Sequence, residues 1–437
     1  MKKSRISMLL LSLSVSASML LSACGGETAT PTPATTGGGS TGAATATTAT
    51  GGSTGGSSSD VVKIAVDLPV SGADASDGIP TRNGVQLAID QANAAGGVTI
   101  DGKAMKLQMY FLDDVPPGGQ AHDPAQGSKN ADAFIADPDV VVMIGPFNSN
   151  VAKAMMPKLN QANLPNISPA NTNETLTKPQ YGATKDLRPT GKVTYFRVCA
   201  TDDIQGPAAA DFAYDKLGKK KMYILDDTET YGKGLADNVE KEFKAKGGTV
   251  LGHDGVPKGT TDFSSILTKA ASQSPDVLFY GGTSSTGIPV ARKQMKAAGL
   301  DIPMVGGDGI INDEFLKTAG ADAEGTYGTL AAVNATTLPE AKQFLADYKT
   351  AFGTDVGSYS ANAYEATNIA IAAIKKAGKK DREAVRAALA ATKDYQGVIG
   401  TTSFDENGDT TNRWISIYQA KGGKWEFVDQ LKIAPQQ

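Results

Sequence analysis

Between residues 61 and 319 short apolar runs alternate with amphipathic stretches, and this rhythm restricts the chain to parallel sheets covered by helices. The runs 61–66, 106–112, 140–144, 166–168, 195–198, 222–225, 250–256, 277–280 and 304–306 read as strands. Helices are predicted over 82–95, 128–136, 151–162, 206–217, 232–246, 263–272, 288–298 and 313–319. The first turns Val85, Ala88, Ile89 and Ala92 inward and stops at Gly96-Gly97. Right-handed crossovers then stack each strand beside the last. Residues 60–437 run past the ~250–300 at which single cores stop growing, so two lobes are expected. The expected fold is α/β, with two doubly wound parallel-sheet lobes joined by three crossovers near Thr201, Ala332 and Thr411. Lobe 1 would hold 60–200 and 332–411, and lobe 2 would hold 201–331 and 412–437. The tail breaks the rhythm, with helices over 339–351, 361–376 and 382–391. Strands at 414–419 and 424–432 then flank Gly422-Gly423, a hairpin signal. Residues 178–192, rich in Lys, Pro and Gly, read as an exposed loop.

The start of the chain reads as an export signal. Lys2-Lys3-Ser4-Arg5 precedes an apolar run to Leu20, too short for the ~20 residues of a spanning helix. Leu21-Ser22-Ala23-Cys24 resembles a bacterial lipobox, which implies acylation of Cys24. Several acyl chains, at ~0.8 kcal/mol per buried methylene, would anchor firmly. Residues 25–59 are almost wholly Gly, Ser, Thr, Ala and Pro, with Glu27 the only charge. Such a linker is a flexible coil with an r.m.s. reach of ~30–35 Å. It would tether a domain to the outer side of the cytoplasmic membrane.

Several function classes are disfavoured. Three of the 42 Lys and Arg precede Cys24, and none of the 46 Asp and Glu does, so the remainder is mildly acidic. It lacks the basic footprint of a nucleic-acid binder. Beyond Cys24 the sole cysteine is Cys199, which excludes an internal disulfide and reads as a buried, inert thiol. His122 and His253 have no spaced His or Cys partner of the kind metal sites need. Neither a G-x-S-x-G elbow nor a Walker loop is present, and the glycine pairs at 232–234 and 307–309 lack the third glycine of a dinucleotide fingerprint. No catalytic residue, cofactor or metal is expected.

In open α/β sheets ligands sit beyond the carboxyl ends of the strands, so the chemistry should lie there. The ends carry Gly145-Pro146-Phe147-Asn148-Ser149-Asn150, Pro169-Ala170-Asn171-Thr172, Asp226–Gly232, Gly281-Gly282-Thr283-Ser284 and Gly306-Gly307-Asp308-Gly309. Taken singly, Ser149 and Thr172 read equally as cap or turn residues. Asp308 reads as a turn acid and Tyr231 as a packed helix-start residue.

In this order the loops resemble type I periplasmic binding proteins of the leucine/isoleucine/valine-binding family. Also carrying the resemblance are Leu68-Pro69-Val70-Ser71-Gly72, Asn93–Gly97, Leu112-Asp113-Asp114, Asp203-Ile204-Gln205-Gly206-Pro207, Tyr231-Gly232-Lys233-Gly234, Asp262-Phe263-Ser264 and Phe404–Gly408. The resemblance implies a non-enzymatic substrate-binding component of an ABC importer, monomeric, serving a permease and ATPase. Ser149, Ala170 and Thr172 would meet a ligand carboxylate, Asp308 its ammonium, and Tyr231 would face the cleft. A helix start at Ser149 suits an anion, and a carboxylate at Asp308 suits an ammonium. Phe147, Asn148, Asp77 and Thr283 would form the side-chain wall. Asp77 and Thr283 stand where relatives often place aromatic residues. The implied ligand is an α-amino acid, branched aliphatic first and small polar second. A sensor domain of the same fold, or a binder of a small amide or carboxylate, are the alternatives.

Overall fold

The most apolar runs form the centres of two sheets in the computed structural model, which describes residues 60–182 and 184–433. The signal segment 1–24 with Cys24, and the linker 25–59, lie outside the described residues. The first sheet comprises β1 (Val61–Asp67), β2 (Val98–Ile100), β3 (Lys103–Leu112), β4 (Val140–Ile144), β5 (Asn166–Ser168) and β6 (Tyr195–Arg197). Its order is β2-β3-β1-β4-β5-β6, parallel except where β2 meets β3. Every residue of β4 is buried, as a strand covered on both faces must be.

The second sheet begins with β7 (Lys221–Asp226), β8 (Thr249–Gly255), β9 (Val277–Gly281), β10 (Met304–Gly306) and β11 (Thr326–Leu330). The chain then leaves for helices Lys342–Phe352, Ser360–Ala377 and Arg382–Ala390, and a small hairpin of β12 (Tyr395–Gly397) and β13 (Gly400–Thr402). The last two helices pack on the first sheet. Antiparallel β14 (Trp414–Lys421) and β15 (Lys424–Lys432) return to complete the order β15-β14-β11-β10-β9-β7-β8. Gly422 and Gly423 turn that hairpin with φ of 57° and 74°, left-handed backbone that glycine adopts without strain. The chain thus passes between the sheets three times: after β6, after β11 and before β14.

Both sheets are doubly wound. Strand order reverses between β1 and β4 in the first and between β7 and β9 in the second, so each offers a crevice at its carboxyl edge. The structure moves several expected boundaries. The first helix runs Ala75–Ala94, starting seven residues ahead of the expected 82, with Pro80 inside it. Gly78 allows that early start, because a Cβ there would stand 1.7 Å from the Pro69 carbonyl oxygen. The early start sets Asp77 in the first helical turn. The next helix begins at Pro124, where Asp123 caps it by accepting from Gln126 N at 2.8 Å. Strand β11 was not anticipated, since its Thr and Gly dilute the apolar signal. Residues 178–192 are not wholly an exposed loop. They include the short helix Thr184–Leu187, with Leu187 buried and Arg188 Nη2 donating to the Asn407 carbonyl at 2.6 Å.

Candidate functional site

The carboxyl end of β4 feeds directly into the helix Ser149–Gln161, with Asn148 as its N-cap and Ser149 as its first residue. The Asn148 side chain does not cap, and its Oδ1 is buried without a partner in the protein. Ser149 is buried, and its Oγ accepts from Asn173 N at a long 3.4 Å. Helix-start amides and a hydroxyl therefore converge here, a setting that favours an anion.

Beyond β5, Ser168 Oγ accepts from Ala170 N at 3.2 Å and from Asn171 N at 2.9 Å. The loop is then held from below by Arg197 on β6. Its Nη1 donates to the carbonyls of Asn171 at 2.8 Å and Asn173 at 2.9 Å. Those two bonds fix the residue between them, Thr172, which is fully buried. Burial drives the pKa of the nearby Asp202 well up, helped by the charges of Glu174 and Asp308, while the Thr172 hydroxyl opposes the rise. The expected inert thiol, Cys199, is buried and donates to the Asn171 carbonyl at 3.2 Å, and burial pushes its pKa up.

The second lobe supplies the acid. Asp308 opens the 3-10 turn that follows β10. Its Oδ1 accepts from Gln205 Nε2 at 2.7 Å and from the Tyr231 hydroxyl at 2.8 Å. Burial raises its pKa, while Gln205, Tyr231 and Tyr359 oppose the rise as donors. Tyr231 is the second residue of the helix Thr230–Ala245, and its oxygen also accepts from Gly309 N at 3.3 Å. Gln205 Nε2 reaches the Thr329 carbonyl at 2.7 Å, while its Oε1 is buried without a partner in the protein.

The expected wall residues gather round the same turn. Thr283 is buried, with its Oγ1 2.9 Å from Ser285 Oγ, and it packs on Gly309, where an added Cβ would meet it at 3.0 Å. Asp77 Oδ2 accepts from Asn312 Nδ2 at 2.8 Å, and the same amide points to the Gly309 carbonyl at 3.3 Å. Burial drives the Asp77 pKa well up, helped by the charges of Asp74 and Asp308. Phe147 meets Tyr359 edge-on with ring centroids 5.6 Å apart. The Asn173 amide crosses between the lobes to the Thr230 carbonyl at 2.9 Å.

Sequence reasoning missed Gln205, Asp202 and Tyr359. Gln205 lies inside the Asp203–Pro207 motif but was read as fold signature only. Tyr359 precedes the helix Ser360–Ala377 in irregular chain and offers no pattern. Among the described residues, no group of His, Cys, Asp and Glu side chains could hold a metal ion.

One lobe thus carries buried Ser149 and Thr172 at its strand ends, and the other a buried carboxylate, Asp308. A family profile described as "Periplasmic binding protein" matches residues 61–424. The chain is 32% identical to Leu/Ile/Val-binding protein BraC3 of Rhizobium johnstonii, over 83% of this chain and 92% of the relative. It is 31% identical to Leu/Ile/Val-binding protein homolog 1 of Brucella suis, over 84% and 94% respectively. Its fold is similar to that of the leucine-binding protein LivK from Thermotoga maritima, with a TM-score of 0.75 at 28% identity, covering 85% of this chain and 99% of that one. LivJ from Streptococcus pneumoniae, a branched-chain amino acid transporter substrate-binding protein solved with isoleucine, gives 0.74 at 27% identity over 85% and 100%. A profile match across most of the chain, on two doubly wound lobes, places the chain in the periplasmic binding protein family.

Proposed function

We propose that this protein is the extracytoplasmic substrate-binding component of an ABC importer, and that it captures a free α-amino acid between lobes 60–200 with 332–411 and 201–331 with 412–437. The observation that carries the reading is a buried Asp308, gripped by Gln205 and Tyr231, with Tyr359 beside it and packing on Phe147 just ahead of the Ser149 helix start. A zwitterion with both charges on one carbon satisfies Asp308 and the Ser149 helix start at once and ties the lobes together. The Leu/Ile/Val-binding relatives support an amino acid as the ligand class, and Phe147 with Tyr359 offers an apolar surface to a branched side chain.

Asp77 and Thr283 favour a second reading, in which the side chain is small and polar. Calorimetry with leucine, isoleucine and valine against serine, threonine and asparagine separates the two. Under the first reading a branched aliphatic amino acid binds tightest, by at least about tenfold, or 1.4 kcal/mol. Asp77→Leu should widen that margin. If no α-amino acid binds, the zwitterion reading fails.

The tether is part of the same proposal. Cys24 would be acylated and hold the domain on the outer face of the cytoplasmic membrane, beside its permease. Mass spectrometry of the N-terminus from the native host should find a lipid-modified Cys24. An unmodified N-terminus downstream of it refutes the anchor. Among the described residues no helix is long and apolar enough to cross a membrane.

A further inference from the structure

We propose that His122 is a positioning residue for ligand capture, a charged clasp that joins Asp74 of the first lobe to Glu229 of the second and so holds the cleft shut. His122 lies just before the helix Pro124–Ala136, and its side chain is wholly buried. Nδ1 stands 2.8 Å from Asp74 Oδ2, and Nε2 stands 2.9 Å from Glu229 Oε2. Both ring nitrogens face carboxylate oxygens. A neutral imidazole would turn a lone pair on one of them while both carboxyls are ionised, whereas the imidazolium donates from both.

The surroundings reinforce the clasp. Asp74 Oδ2 also accepts from the His122 backbone N at 2.8 Å. From the second lobe, Lys258 Nζ donates to the His122 carbonyl at 2.9 Å and lies 3.6 Å from Glu229 Oε1. The titratable groups facing the ring are Asp74 and Asp114 from the first lobe, and Glu229, Asp227 and Lys258 from the second, with burial pushing Asp114 well up and Asp227 up to about 7. The contact bears on capture through one short path. Glu229 is the N-cap of the helix Thr230–Ala245, and two residues on is Tyr231, whose hydroxyl holds Asp308. Fastening Glu229 to the first lobe fastens the start of that helix, and with it Tyr231 and the acid it holds, against the loop of Asn173, whose amide reaches the Thr230 carbonyl.

Burial alone would lower the His122 pKa, but Asp74 and then Glu229 outweigh it and carry it up to about 10. A raised pKa on a cation means that the stabilisation is complete below the ordinary value near 6.5 and is lost as pH rises through about 10. Burial opposes ionisation of Asp74 and Glu229 too, yet His122 holds both pKa values down. Their share is lost on the acid side, as pH falls through those depressed values. Asp74 stays with His122 whether or not the lobes part, so only the Glu229 share bears on closure, and the clasp loosens as pH rises toward about 10.

The test needs no ligand. In the full chain, nuclear magnetic resonance of the His122 ring at pH 8 should show both nitrogens protonated. In Glu229→Gln the ring should hold its proton about 10- to 1,000-fold less tightly, the effect of losing one adjacent opposite charge. Small-angle scattering without amino acid should show wild type expanding between pH 6.5 and 10. Glu229→Gln should already be expanded at pH 6 and change little with pH. A neutral His122 ring in wild type at pH 8 overturns the proposal. So does a folded Glu229→Gln protein, by circular dichroism, that is as compact as wild type at both pH values.

Discussion

Asp308→Asn should weaken capture of the tightest-binding amino acid by roughly 30- to 5,000-fold, about 2–5 kcal/mol, the cost of truncating one partner of a buried charge pair. The amide keeps an acceptor for Gln205 Nε2 and Tyr231 Oη, so the loss reports charge and not shape. The same substitution should leave the ligand-free melting temperature unchanged or higher. Burial raises the pKa of this carboxyl, and an acid whose folded pKa is raised costs stability at every pH above its unfolded value, pH 7 included. Affinity for the wild-type protein should also fall as pH drops toward that raised value, because a protonated Asp308 must shed its proton before it meets an ammonium. Calorimetry from pH 4 to 8, beside thermal melts without ligand, checks both halves. Undiminished affinity in the variant would remove Asp308 from its role.

What could be read in the chain and what could not divide along a physical line. β4 and β9 were legible because a strand buried on both faces must be an unbroken apolar run. The loops holding Ser149, Thr172, Tyr231, Thr283 and Asp308 were legible because parallel sheets put their ligand sites at strand ends. The first turns of the helix Ala75–Ala94 escape the apolar period because Gly78 and Pro80 lie within them, and a close approach to Pro69 calls for the glycine. Gln205 acts on a residue 103 positions away. His122 binds partners 48 and 107 positions away, so its lack of a neighbouring His or Cys was uninformative about its role. Such pairings carry no period and appear only once distant parts of the chain fold together, within a lobe or between lobes.

The buried pair Arg197–Asp409 belongs to that hidden class, with 212 positions between its members. It ties β6, the last strand before one crossover, to the segment that leads into another. Arg197 Nε donates to Asp409 Oδ1 at 2.7 Å, and neither side chain reaches appreciable solvent. Removing one partner of such a pair costs about 3–5 kcal/mol, because the other charge is left uncompensated. With an unfolding entropy of ~2 cal/mol/K per residue over this length, Asp409→Asn should lower the melting temperature by about 4–7 °C. Amino-acid affinity should largely survive, since Arg197 retains its bonds to the carbonyls of Asn171 and Asn173. Arg197→Met should cost similar stability and weaken binding as well, because the loop that presents Thr172 loses its support. Replacing both residues with apolar ones of similar volume should restore much of the melting temperature without restoring the affinity. Melts and calorimetry on the three variants decide the point. If Arg197→Met binds as wild type does, the guanidinium supports the fold alone, and Thr172 is held by other means.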